Sequence, residues 1–193
     1  AAFRMVGPVY GQGVGLALDQ IALFMAAFVA GGALAQFPAG WLADKYDRRW
    51  VLIWLSVSAI VSCVVTATLT DLPTFGVFLT AMVFGMTTFP IYSVAAAHAH
   101  DFASSDERVE LSAALMFWFA TGAIAAPYMA SVLMGLFGPP ALFAMIAVGH
   151  AALVVFGLIR MRARQTLTKT RYVYAPRTSF LIGRLMRNSR EKD

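Results

Sequence analysis

Charged side chains are clumped along this chain, leaving four windows without Asp, Glu, Lys or Arg at residues 20–43, 50–70, 72–100 and 111–159. The first three each fit one helix of about 20 residues, the length that crosses ~30 Å of hydrocarbon. The fourth breaks at Gly138-Pro139-Pro140, where two prolines fix φ and remove amide donors, so it predicts two spans joined by a tight turn. Residues 1–15 are apolar but too short for a complete span. Gly7, Pro8, Gly11, Gly13 and Gly15 crowd that stretch, which reads as a bent or broken helix end. The expected order is one partial helix and then spans over 19–40, 50–69, 75–97, 111–137 and 141–159.

Composition agrees with a bilayer. With 60% hydrophobic and 13% charged residues and a mean hydropathy of +0.71, the chain cannot cover its surface as a soluble domain. The formal charge of +5 belongs to the end of the chain: residues 160–193 carry a net +8 and the rest −3. A membrane domain over 1–160 and a basic tail over 161–193 follow. A basic segment directly after a span is explained by topology and anionic lipid, so the pI of 9.7 implies no nucleic-acid partner. The stretch TSFLIGRLMRNSR in the tail mixes apolar and Arg residues as an interfacial helix does. Cys63 is the one cysteine, lies inside a span and is expected to pack. No basic n-region precedes a short apolar segment, so no signal peptide is read. The abrupt apolar start suggests a fragment whose first helix has been cut.

The polar residues inside spans are the candidates for chemistry. Arg4 falls near mid-depth if the first helix ends near Gly13; it is either a functional charge or one that snorkels. Gln36 is expected to bond a neighbouring helix. Ser56, Ser58, Ser62, Thr66 and Thr68 can bond back to their own helix. Thr87, Thr88, Pro90, Tyr92 and Ser93 cluster late in the fourth segment. His98, His100 and Asp101 then open a loop over 98–110; they are weak as metal ligands and are alternatives for proton coupling. In that loop Ser104 and Glu107 have capping-box spacing. His150 is either a proton relay or a bond to a neighbour. Two faces carry small residues, one around Gly31 and Gly32 and one at Gly122, Ala126 and Ala130. No phosphate loop or nucleophile-base pair is present, so neither enzyme activity nor a cofactor is expected.

Four spans separate the Lys45/Arg48/Arg49 cluster from the basic tail, so both lie on one side, which the positive-inside rule makes cytoplasmic. That first cluster belongs to GWLADKYDRR, residues 40–49, read as a charged loop between two spans with Asp19 capping the span before it. Gly40 offers a close approach of backbones, Asp44 a helix-end acceptor, and Lys45, Arg48 and Arg49 an anchor.

This segment resembles the loop signature of the major facilitator superfamily, roughly G-x-L-A-D-R-x-G-R-R, and departs from it at Asp47, where the family commonly has Gly and where an N-cap for the next span is expected. The resemblance implies an all-α integral membrane protein, a six-helix half bundle whose first helix is truncated. The order of segments and the basic end look like the C-terminal half, helices seven to twelve. GPVYGQ, PIYSVAAAHAHD and the PRTS of the tail are similar to the YcaD-like subgroup of bacterial transporters. The implied function is secondary active transport of a small solute by alternating access in a bacterial inner membrane. Its partners would be the solute, lipid and an N-terminal half, and the half alone is not expected to transport. The resemblance makes Gly40, Asp44, Lys45, Arg48 and Arg49 gating residues, with Asp101, Asp106, Glu107 and Glu110 as candidate partners. Because the first and fourth helices of such halves line the cavity, it selects Arg4, Tyr10, Gln12, Thr87, Thr88 and Tyr92 as substrate contacts. The alternative is a membrane scaffold or sensor acting through its tail.

Overall fold

The computed structural model describes residues 2–68, 73–104 and 106–163. Among the described residues six helices follow in order: α1 (Ala2–Gly13), α2 (Leu18–Lys45), α3 (Arg48–Thr68), α4 (Thr74–His100), α5 (Arg108–Phe137) and α6 (Ala141–Ala163). The last five are long and apolar enough to cross a membrane. The basic tail lies outside the described residues apart from 161–163, and its interfacial stretch with it.

The helices begin and end where backbone chemistry dictates, and several boundaries differ from the expected ones. α1 is a continuous helix through Gly7, Pro8 and Gly11, not a broken end. Pro8 lacks an N–H, and the Arg4 carbonyl four residues back thereby loses its helical partner. α2 is capped at Ala17, whose N–H donates to Gln20 Oε1 at 3.0 Å; Asp19 lies in the first turn, where its charge suits the helix dipole. Gly15 and Gly138 take φ of +83° and +82° in the turns after α1 and α5, a region other L-residues rarely adopt. Before α5 the Ser104 N–H and hydroxyl both donate to Glu107 Oε2, at 3.0 and 2.8 Å. This is the returning arm of a capping box, and it draws the exposed Glu107 carboxyl below its ordinary pKa.

α2 and α4 form the tightest pair. A Cβ at Gly31 would fall onto the Met82 carbonyl and one at Gly85 onto that of Phe28, so the two backbones touch directly. α3 packs against α4 and α6. An aromatic cluster closes the centre: Phe3 lies 4.4 Å from Phe28 and 4.9 Å from Phe84, and Tyr10 lies 4.8 Å edge-on to Phe143. Cys63 is buried here as a packing residue. α5 is the least covered helix, with Ala130 its one buried residue; of its expected stripe Ala126 is partly buried and Gly122 open.

Two contacts define the ends of the bundle. Gly13 meets the Pro139 ring, which joins the end of α1 to the α5–α6 turn. Arg48 meets Asp101, which joins the start of α3 to the end of α4. The second is the charged end.

Candidate functional site

The segment over 40–49 is mostly helix. Gly40, Asp44 and Lys45 stand in the last turns of α2, and only Tyr46 and Asp47 separate α2 from α3. The expected loop is corrected accordingly: Leu, Ala, Asp and Lys are acceptable helix residues, and the breaks come where the Tyr46 N–H closes α2 on the Leu42 carbonyl and Asp47 opens α3. The expectation that Gly40 lets backbones meet is also corrected, because a Cβ there would meet nothing within 4 Å.

Asp47 acts as the N-cap of α3, its Oδ1 accepting the Arg49 N–H at 3.0 Å. The same carboxylate takes the Arg49 guanidinium, Nε to Oδ2 at 3.2 Å and Nη2 to Oδ2 at 3.1 Å. Partial burial pushes the Asp47 carboxyl up. The side-chain and backbone hydrogen bonds from Arg49, with its charge, outweigh that and hold the pKa below the ordinary 3.8.

Arg48 is the hub of the charged end. Its Nη1 donates to the Ala97 carbonyl at 2.8 Å and to Asp101 Oδ1 at 2.5 Å, while Nη2 reaches Asp44 Oδ1 at 3.1 Å. One guanidinium thus ties together the end of α2, the start of α3 and the end of α4. Its planar fork suits this task, since it can hold two carboxylates and a carbonyl from different directions. Lys45 lies over the rings of Trp41 and Tyr46, 4.8 and 5.6 Å from their centroids.

His98 and His100 belong to the last turn of α4 and not to a loop. His98 stands edge-on to Phe102 at 5.1 Å, and His100 Nε2 lies 3.4 Å from Ser112 Oγ on α5. Asp101 is engaged by Arg48 and lies within electrostatic reach of His98, while His100 turns to Ser112. Among the described residues no set of three His, Cys, Asp or Glu side chains gathers as for a metal ion.

A cavity of about 1260 Å³ runs between the helices, lined from all six. Of the six expected substrate contacts, Arg4, Thr88 and Tyr92 line it. Arg4 Cζ lies 4.5 Å from the centre of the Phe89 ring, near the middle of α4. The Thr88 hydroxyl donates back to the Phe84 carbonyl at 2.8 Å, and the Tyr92 hydroxyl points to Met116 Sδ at 3.8 Å. The other three are elsewhere. Tyr10 is buried in the aromatic cluster, Gln12 is exposed in the last turn of α1, and the Thr87 hydroxyl bonds the Phe84 carbonyl at 3.0 Å without lining the cavity.

Polar lining residues outside the expected contacts include Ser93, Gln36, Arg49 and His150. Ser93 Oγ donates to Gln36 Oε1 at 3.1 Å, joining α4 to α2 at the cavity wall. Arg49 reaches the cavity from α3, and His150 from α6 with its Nδ1 buried and without a hydrogen-bond partner. The signal for Gln36 and His150 was their polarity in apolar helices; what places them on the cavity is helix rotation, which an apolar stretch does not encode.

Residues 1–190 match the family described as Major Facilitator Superfamily. An uncharacterized MFS-type transporter of Yersinia pestis (strain Pestoides F) is 32% identical over 153 residues, 79% of this chain and 38% of that protein. One from Yersinia enterocolitica is 30% identical over 158 residues, 82% of this chain and 40% of its own length. The uncharacterized MFS-type transporter YcaD of Salmonella paratyphi B is 31% identical over 140 residues, 72% of this chain and 35% of its own. The chain spans about two-fifths of the length of the curated relatives it matches.

Proposed function

The chain belongs to the major facilitator superfamily, and from that premise we propose that it works as the C-terminal half of a secondary active transporter of a small solute. The observation that carries this reading is the Arg48 hub beside the cavity. Asp44, Arg48 and Asp101 hold three helix ends together at one end, while the cavity between those helices stays large enough for a small solute. In an alternating-access cycle two halves rock about a midplane site, and each arrangement needs its own set of contacts. The hub stabilises one such arrangement. Its charged end is the cytoplasmic end and the membrane the bacterial inner membrane, on the strength of the Lys and Arg clustered there.

An N-terminal half completes the cavity in this reading. α5, nearly uncovered along its length, and Gly40, open beside the hub, are the surfaces it would meet. Arg4, Thr88 and Tyr92 then face the solute, with His98, His100 and Asp101 as the groups available for proton coupling.

The test uses the full-length protein in proteoliposomes, with spin labels at the charged end of each half. Arg48→Gln shifts the distance distribution toward the longer, opened population, and the unsubstituted protein shows both populations. An identical distribution in both proteins would remove the gating role.

A further inference from the structure

The cavity wall carries charge of one sign. Among the described residues that line it the charged ones are Arg4, Arg49 and Arg160, and none is Asp or Glu. Arg49 is neutralised by Asp47, 3.1 Å away outside the lining. Arg4 is not: among the described residues it forms no ion pair, and its guanidinium rests on the face of Phe89, near the middle of the apolar helix α4. A cation in that position is costly unless something compensates it, and a ring face offsets only a small part of the charge. On the same wall His150 Nδ1 is buried and, among the described residues, without a hydrogen-bond partner. Around these groups the wall is aromatic and aliphatic, with Phe28, Phe84, Phe119, Tyr92 and Met129 among it.

Resting on the reading of this cavity as the solute path, we infer that it binds an amphipathic organic anion, whose carboxylate or sulfonate pairs with Arg4 while its apolar body lies along the aromatic wall. The anion supplies the counter-charge that the described residues do not. A neutral solute would leave Arg4 uncompensated, and a cationic one would be repelled by it.

The inference is tested by charge-selective labelling of the full-length protein in nanodiscs, in a cysteine-free background that includes Cys63→Ala. Gly149→Cys places a thiol on the cavity wall where a Cβ meets nothing within 4 Å. The reporter is the rate ratio of the anionic sulfonatoethyl to the cationic trimethylammonioethyl methanethiosulfonate, normalised to a free thiol. The expected ratio exceeds unity by about tenfold, equal to ~1.4 kcal/mol; Arg4→Gln abolishes the preference and Arg4→Lys keeps it. Of three probes with one body, 4-phenylbutyrate slows the labelling at about tenfold lower concentration than 4-phenylbutanol or 4-phenylbutylamine. Labelling by both reagents without preference, or with preference for the cation, overturns the inference and leaves the cavity as a solute path. Labelling by neither overturns the cavity reading as well. A preference that survives in Arg4→Gln, or equal protection by all three probes, also overturns the role given to Arg4.

Discussion

Arg48, at the start of α3, and Asp101, just past the end of α4, are ion-paired across 53 positions of sequence, with Asp44 on the other branch of the same guanidinium. The pair is partly exposed, with side-chain exposures of 18% for Arg48 and 39% for Asp101, so solvent screening keeps its worth to stability small, ~0.5–1 kcal/mol. Its value to a transporter is geometric: it exists only when the ends of α3 and α4 are together.

Breaking that pair is expected to separate function from stability. Asp101→Asn should lower the thermal midpoint of the full-length protein by only a few degrees, in keeping with a loss of ~1 kcal/mol or less. It should shift the opened population as Arg48→Gln does. A double-mutant cycle with Arg48→Gln and Asp101→Asn, read by population, should show a coupling of ~0.5–1 kcal/mol; additive effects would mean that the pair is not the coupling element.

Asp47 supplies both the cap of α3 and the partner of Arg49. Asp47→Ala should cost ~1 kcal/mol, the usual value of an N-cap, while Asp47→Asn keeps the cap and loses the charge. Because the folded-state pKa lies below the ordinary 3.8, the contribution of Asp47 is complete above that value and is lost as pH falls through the lower folded-state value. Thermal midpoints of the unsubstituted protein and Asp47→Asn, compared between neutral pH and pH ~3, should therefore converge toward the acid end. A constant gap across that range would refute the linkage.

The α2–α4 contact leaves no room for side chains. Gly31→Ala and Gly85→Ala each place a Cβ against a backbone carbonyl that cannot swing away, unlike the end of a flexible side chain. Each should cost ~1–3 kcal/mol, the range for overpacking. Gly122→Ala, where a Cβ meets open space, is the control and should be neutral or slightly stabilising by helix propensity. Detergent-solubilised midpoints give the comparison; equal effects at Gly85 and Gly122 would show that the helices part easily.

The number of spans, their order and the charged end were legible because hydropathy and charge clumping act on whole windows of sequence. The family was legible because GWLADKYDRR carries several residue types at fixed spacing. Helix ends were less so. Gly40 to Lys45 and His98 to His100 read as loop because charge or polarity marks a membrane surface, yet a helix can run past the hydrocarbon into water at little cost. The site was legible by segment and not by side. Arg4 and Thr88 reach the cavity while Tyr10 and Thr87, on the same helices, do not. In a helix apolar all round, as α4 is, no amphipathic stripe announces which side faces inward.

If the chain is the C-terminal half of a transporter, as proposed, Gly40 gives the sharpest separation between that half and the whole. Within the described residues its Cα looks onto open space, so nothing among them requires glycine there. It nonetheless opens the signature segment and lies one helical turn before Asp44, on the same side of α2. If an N-terminal half packs against that side when the charged end closes, a larger residue would prevent closure without disturbing the α2–α4 contact. Gly40→Leu should then leave the thermal midpoint of the isolated half unchanged within experimental scatter. In the full-length protein it should shift the spin-label distances to the opened population as strongly as Arg48→Gln. A destabilised isolated half would instead assign Gly40 to packing within this chain, and an unchanged distance distribution would place the surface of the other half away from it.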